Sequence, residues 1–295
     1  MKKKNVVLSL SGGLDSSTLL LRCLEEYENV TCLSFDYGQK HKIELEKARE
    51  LVEYLNDNPY RIWWKNKNVL TTYPKITHKV IKLDGLSSLL VSGLVDNDSM
   101  EMKKGHYAHE NALTTVVPNR NAIFASITYA VALSMVKKNN FPCDIALGTH
   151  MGDFDNNKKE GIYPDCSEEF RIALEYAFKI GNWDSEKVNY YAPYNITDKP
   201  GVLKDGLKLC KKLKLDYKEV YKRTMTSYSP VKKGNESFSD YKTGSSIERI
   251  ISFIEAGKKD PITYVEDDGT PVTWKYVKEY ALKLEEEFKS NNPNF

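Results

Sequence analysis

The chain has 295 residues, of which 41% are hydrophobic and 28% charged, so it can build one large core or two modest ones and is not expected to be disordered. A formal net charge of +2 offers nucleic acid no global attraction, and strong DNA or RNA binding is not expected. No apolar run approaches the roughly 20 residues that span a bilayer, the N-terminus carries no signal-peptide pattern, and five widely spaced cysteines without a CxxC pair suit neither a disulfide framework nor a cysteine-rich metal site; a cytoplasmic protein with reduced core cysteines is the expectation.

In chain order, the apolar run Val6 to Leu10 reads as a strand and Leu19 to Leu24 as part of a helix, with Ser11-Gly12-Gly13-Leu14-Asp15-Ser16-Ser17 between them. Val30 to Phe35 is a second strand and Ile43 to Leu55 a helix, a βαβα opening that implies a parallel sheet. Residues 60–116 are less regular and read mainly as loops, with a strand at Lys79 to Leu83 and a helical turn at Leu86 to Leu90. Ala122 to Val136 is a long apolar helix, followed by a short buried strand, Asp144 to Gly148; in open α/β sheets ligands collect at the carboxyl ends of such strands. Ser167 to Ile180 and Pro200 to Leu213 are helices, the second opening with proline in its first turn. Tyr228 to Ser246 turns rich in Ser, Lys, Gly and Asn and reads as a loop or boundary before a helix at Ile247 to Ala256. A hairpin around Asp268-Gly269 and an amphipathic helix from Trp274 to about Lys289 complete the chain. The expected architecture is an α/β, Rossmann-like parallel sheet with helices on both faces over residues 1–200, a smaller, mainly helical lobe over 201–260, and a hairpin-helix extension over 261–295.

The segment between the first strand and helix is suited to phosphate. Gly12 and Gly13 let the backbone turn sharply and approach an anion, while the amides that open the helix and the hydroxyls of Ser11, Ser16 and Ser17 can donate to phosphate oxygens. A Walker loop would carry a lysine where Asp15 stands. SGGLDSS instead resembles the pyrophosphate loop of ATP pyrophosphatases, which split ATP to AMP and pyrophosphate in adenylating a substrate oxygen. The resemblance implies that Ser11 to Ser17, Leu14 included, bind ATP, with Asp15 near Mg²⁺.

Four further segments narrow the resemblance: Phe35-Asp36-Tyr37-Gly38-Gln39-Lys40-His41, Val117-Pro118-Asn119-Arg120-Asn121, Tyr163-Pro164-Asp165-Cys166 with Phe170, and Thr197-Asp198-Lys199. Together they resemble the 7-cyano-7-deazaguanine synthase family from about residue 5 to residue 260. The family's fold is adenine nucleotide alpha hydrolase-like. Its implied chemistry is adenylation of the carboxylate of 7-carboxy-7-deazaguanine with ATP and Mg²⁺, amidation by ammonia, and dehydration to the nitrile with a second ATP; a homodimer is also implied. Within that resemblance Asp15, Ser16, Lys199 and Arg120 are the catalytic candidates, and Gln39 and His41 join the loop in binding nucleotide. Arg120, Asn121, Asp153, Tyr163, Asp165 and Cys166 are candidates for the deazaguanine substrate. Arg120 at a helix start suits an anion. Asp165 is assigned to the amidine-like edge of the base, and Cys166 to packing or a polar contact, because an adenylate needs no thioester.

The chain also departs from the family. The usual four zinc-binding cysteines of the C-terminal half have no counterpart after Cys210, and the stretch Thr226-Ser227-Tyr228 with the later Asp240, Thr243 and Ser246 falls roughly in their place. Hydroxyls and a carboxylate do not replace a thiolate cage, so no zinc is expected and polar contacts are expected to hold the region. Asn119 replaces a usual glycine, about seven residues (Asp155 to Gly161) are inserted before Tyr163, and the tail after residue 260 is additional. These changes bear on the acceptor more than on the ATP chemistry. One alternative therefore keeps the adenylate and lets a protein amine attack it, in a phage or anti-phage defence setting. A tRNA-thiolating relative would need suitably placed cysteines and a basic face, and a binding module without turnover would leave the intact motifs without purpose.

Overall fold

The computed structural model describes residues 3–40, 42–57, 61–63, 70–72, 76–95, 115–150, 163–234 and 236–291. Its elements are β1 (Lys3–Ser9), α1 (Leu14–Glu26), β2 (Tyr27–Asp36), α2 (Ile43–Asp57), β3 (Arg61–Trp63), β4 (Leu70–Thr72), β5 (Thr77–Lys82), α3 (Arg120–Asn139), β6 (Cys143–Ala146), α4 (Glu168–Gly181), β7 (Tyr190–Tyr191), α5 (Lys199–Leu213), α6 (Tyr217–Tyr221), β8 (Val231–Lys233), β9 (Glu236–Phe238), α7 (Gly244–Glu255) and α8 (Trp274–Asn291). A five-stranded sheet runs β5-β2-β1-β6-β7, and each adjacent pair is parallel. This is the expected Rossmann-like α/β fold.

Both faces of the sheet are covered, for a reason visible in β1. Val6 and Leu8 join one core with Leu19 and Leu20 of α1, Leu51 and Leu55 of α2, and Val202 and Leu209 of α5. Val7, between them, joins a second core with Tyr129, Ala132 and Val136 of α3. Alternate strand residues point to opposite faces, so a run of consecutive apolar residues buries itself only when helices lie on both sides. Cys23, Cys32, Cys143 and Cys210 are free and buried in this interior, as expected. No described helix is long and apolar enough to cross a membrane.

Two expectations change. Residues 228–246, read as loop, contain the antiparallel hairpin β8–β9, with Gly234 at φ +62 in the turn; strands of three residues are too short to show alternation. The fifth strand, Tyr190–Tyr191, is likewise defined by its pairing with β6 and not by any local pattern. In the tail, an antiparallel bridge joins Val265 to Pro271 around Gly269, and α8 packs Val277 and Ala281 against Ile247 and Ile250 of α7.

Helix α5 packs against Thr18 of α1 at Gly206. A Cβ there would run into the Tyr221 hydroxyl, which shares a 2.8 Å hydrogen bond with Thr18 Oγ1. Gly206→Ala is expected to destabilise the protein by about 1–3 kcal/mol through overpacking and loss of that bond. The check is the urea midpoint; an unchanged midpoint would show that α5 can shift at no cost.

Candidate active site

Strand order reverses at β1, which has β2 on one side and β6 on the other, and the loop at residues 11–13 leaves its carboxyl end at this switch point. There a cavity of about 200 Å³ opens between the ends of β1, β2 and β6, the loop, the starts of α2 and α3, Lys199 and Tyr228.

The loop is held by its own hydrogen bonds. The backbone N–H of Ser11 donates to Ser16 Oγ at 3.2 Å, the two serine hydroxyls lie 2.9 Å apart, and the Gly13 N–H donates to Ser11 Oγ at 3.2 Å. Gly12 sits at φ +90, and a side chain there would strike the Glu44 carbonyl oxygen, so a glycine lets the loop lie against α2. Gly13 is the N-cap of α1 and its helix receives no side-chain cap. The first-turn amides are thus available to an anion.

Asp15 enters from this first turn. Its Oδ2 lies 3.6 Å from Lys199 Nζ and 3.8 Å from Nε2 of the buried His150, while Oδ1 is buried with no hydrogen-bond partner among the described residues. A hard carboxylate oxygen left in this way fits Mg²⁺. Lys199 is the first residue of α5, whose N-cap Asp198 accepts the Gly201 N–H at 2.9 Å; the lysine is buried and donates to Glu248 at 2.5 Å.

Arg120 and Glu44 face the same cavity. Burial pushes the Glu44 carboxyl up to about 7, partly opposed by the Arg120 charge. Burial alone would lower the arginine, but the phenols of Tyr37 and Tyr228 and the Glu44 carboxylate together raise it, so the guanidinium stays charged. Asn119, before α3, has φ 57, a left-handed conformation in which asparagine is the best-tolerated alternative to glycine. Phe35 and Phe124, both on the wall, stack at 4.1 Å between centroids and 8° between planes, and Tyr37 tilts against Phe124.

Of the residues singled out in the sequence, Ser11, Gly13, Asp15, Ser16, Gln39, Arg120, Asn121, Tyr163, Cys166 and Lys199 line this cavity. Gly12 shapes the loop without lining the cavity, and Leu14 and Ser17 are buried beneath it. Gln39 spends its side chain on its own turn: its Oε1 accepts the Tyr37 N–H at 3.0 Å and its Nε2 donates to the Phe35 carbonyl at 3.1 Å. Asp165 lies in the turn between Tyr163 and Cys166, off the described cavity wall. Burial raises its carboxyl, against the pull of Arg120 and the backbone N–H of Asn121. Asn121 Nδ2 donates weakly to Cys166 Sγ at 3.7 Å. His41 and Asp153 lie outside the described residues.

Sequence reasoning missed Glu44, Tyr228 and Glu248. Glu44 stands three residues after His41 in the first turn of a helix already predicted, so its position was readable; Tyr228 and Glu248 come from segments after α6 and have no local signal.

The family model of the queuosine biosynthesis protein QueC matches residues 5–238. The chain is similar to the 7-cyano-7-deazaguanine synthase of Psychromonas ingrahamii, with 34% identity over 261 residues, 88% of this chain and 98% of that protein. The synthase of Marinomonas sp. is 35% identical over 266 residues, 90% of this chain and 99% of the relative. That of Methanoregula boonei is 33% identical over 258 residues, covering 88% and 98%.

Proposed function

This chain belongs to the QueC family of queuosine biosynthesis proteins, and from that premise we propose that it is an ATP-dependent ligase that adenylates the carboxylate of 7-carboxy-7-deazaguanine, releases pyrophosphate, and amidates the adenylate with ammonia on the way to 7-cyano-7-deazaguanine. The observation that carries this reading is the convergence of an uncapped, preorganised loop, an Asp15 oxygen without a partner, and the cations of Lys199 and Arg120 on one cavity.

The chemistry demands charge neutralisation. A carboxylate is a poor electrophile; one of its oxygens attacks the α-phosphorus of ATP, the bond to pyrophosphate breaks, and AMP becomes a leaving group at the carbonyl carbon. The first-turn amides of α1 and the Lys199 ammonium are aimed where charge accumulates on the departing pyrophosphate. Mg²⁺, held by Asp15 together with the phosphates, would add Lewis-acid stabilisation of the same charge. Arg120, between Tyr37 and Glu44, is suited to hold the substrate carboxylate before attack. Phe35, Phe124 and Tyr37 offer a flat apolar wall to a purine-like base. Glu44, with its carboxyl near 7, is suited to take a proton from ammonium, which frees the ammonia that attacks the carbonyl carbon as AMP leaves.

The test is an incubation of the protein with Mg-ATP, 7-carboxy-7-deazaguanine and ammonium, read by liquid chromatography and mass spectrometry. AMP with amide and nitrile is the expected result; AMP and amide without nitrile would end the reaction at the amide, AMP and adenylate without amide would redirect the reading to another acceptor, and no substrate-dependent AMP would overturn it. Asp165→Asn is expected to raise KM for the deazaguanine carboxylate about tenfold, the loss of one good recognition contact, while KM for ATP holds. An unchanged KM with a lowered melting temperature would assign Asp165 to anchoring the start of α3 instead.

A further inference from the structure

Two side chains that reach the site from segments after α6, Tyr228 and Glu248, share one support. Asp240 is buried, and its carboxylate gathers five donors. Oδ1 accepts a short bond from the Ser227 hydroxyl and bonds of 2.9 Å from each of Thr243 Oγ1 and Ser246 Oγ. Oδ2 accepts the backbone N–H groups of Thr243 at 2.6 Å and Lys242 at 2.7 Å. Ser227, Thr243 and Ser246 are themselves buried, so each has exchanged water for this one carboxylate. The Thr243 side chain does not cap α7, and Asp240 lies just before the helix start, bonded to the backbone N–H of the N-cap residue, with its negative charge near the positive end of the helix.

The donors tie together two separate stretches of chain. Ser227 immediately precedes Tyr228, which lines the same cavity as Arg120. Ser246 lies in the first turn of α7, two residues before Glu248, whose carboxylate holds Lys199 2.5 Å away, and Lys199 in turn stands 3.6 Å from Asp15. Asp240 itself is not on the cavity wall. We propose that Asp240 is a positioning residue: its buried carboxylate clasps the chain on both sides of the β8–β9 hairpin and so sets Tyr228 against Arg120 and, through α7 and Glu248, Lys199 against Asp15. This is the hydrogen-bonded cluster of Ser227, Asp240, Thr243 and Ser246 that the sequence placed in one region, and its consequence is geometric precision at the phosphate site.

The inference rests on the ligase reading, and the experiment separates the two. Asp240→Asn, Glu248→Gln and the double variant of the full chain are assayed for AMP release and for binding of a non-hydrolysable ATP analogue by calorimetry, with melting as the folding control. An amide carries one acceptor oxygen where the carboxylate has two, so the clasp slackens without leaving an apolar hole. Asp240→Asn is expected to stay folded and to lose about 10²-fold in kcat, the scale of a misplacement of about 1 Å in a catalytic group, with a smaller change in KM for ATP. The double variant is expected to lose less than the product of the two single losses, because the route through Glu248 and Lys199 is common to both. A wild-type kcat in Asp240→Asn, or losses that multiply in the double variant, would overturn the assignment. If Asp240→Asn does not fold, Ser246→Ala, which removes one donor of five, carries the same test with a smaller loss. If the wild type releases no substrate-dependent AMP, the ligase reading fails on its own, and the same cycle read in analogue affinity decides the positioning role: weakening by both single variants that does not add supports it, and additive or absent weakening rejects it.

Discussion

Arg249→Ala is expected to destabilise the protein by about 3–5 kcal/mol, because it leaves an unpaired charge in the interior. Arg249 and Asp260 are both fully buried, and the guanidinium Nε and one terminal nitrogen donate to the two Asp260 oxygens at 2.7 and 3.0 Å. The remaining N–H groups go to Thr224 Oγ1 at 2.7 Å, Thr226 Oγ1 at 3.0 Å and the Tyr221 carbonyl at 3.1 Å, so all five donors are used. Burial alone would lower the arginine, but Asp260 overrides it and the group remains charged. Truncation strands the Asp260 carboxylate with only the Tyr264 hydroxyl and the Ile262 N–H among the described donors. Replacing both partners, as in Arg249→Met with Asp260→Leu, is expected to recover part of the loss, since two apolar groups leave no bare charge. Urea unfolding followed by tryptophan fluorescence measures both. A single variant within 1 kcal/mol of wild type, the size of an ordinary surface change, would mean that water reaches Asp260.

Asp15→Ala is expected to reduce pyrophosphate release by about 10³-fold while leaving the melting temperature close to wild type. The two halves of this expectation have separate causes. Catalysis falls because an Asp15 oxygen that has no partner among the described residues is removed, and with it the ligand suited to Mg²⁺. Stability holds because Lys199 keeps Glu248 as its partner, so no buried cation is left bare. Lys199→Ala inverts this pattern: Asp15 and Glu248 then share the site without the ammonium between them, and stability should fall together with activity. Stopped assays of pyrophosphate beside a thermal melt distinguish the two variants; normal turnover in Asp15→Ala would refute the role of the loop.

What could be read from the chain depended on how local the signal was. The strand–loop–helix opening was legible because a consecutive apolar strand, two glycines and a helical apolar spacing lie within some twenty residues of one another, each with its own backbone logic. The helices at 43–57, 120–139, 168–181 and 199–213 were legible within a few residues for the same reason. The SGGLDSS, VPNRN and YPDC segments marked the site by residue type, and ten of the residues singled out do line one cavity.

The sequence by itself determined the parallel sheet, the glycine turn at the end of its first strand and the family. These follow from period, turn chemistry and contiguous motifs, which a chain carries wherever it folds. Only the tertiary structure decided that Gln39 is consumed by its own turn, that Glu44 faces Arg120, and that Lys199 lies between Asp15 and Glu248. It also decided that Arg249 finds Asp260 and that Asp240 draws in Ser227, Thr243 and Ser246. These pairings depend on which groups burial forces to share a partner. Burial is a property of the packed chain, because a polar side chain gains its partner only where neighbouring elements have displaced the water.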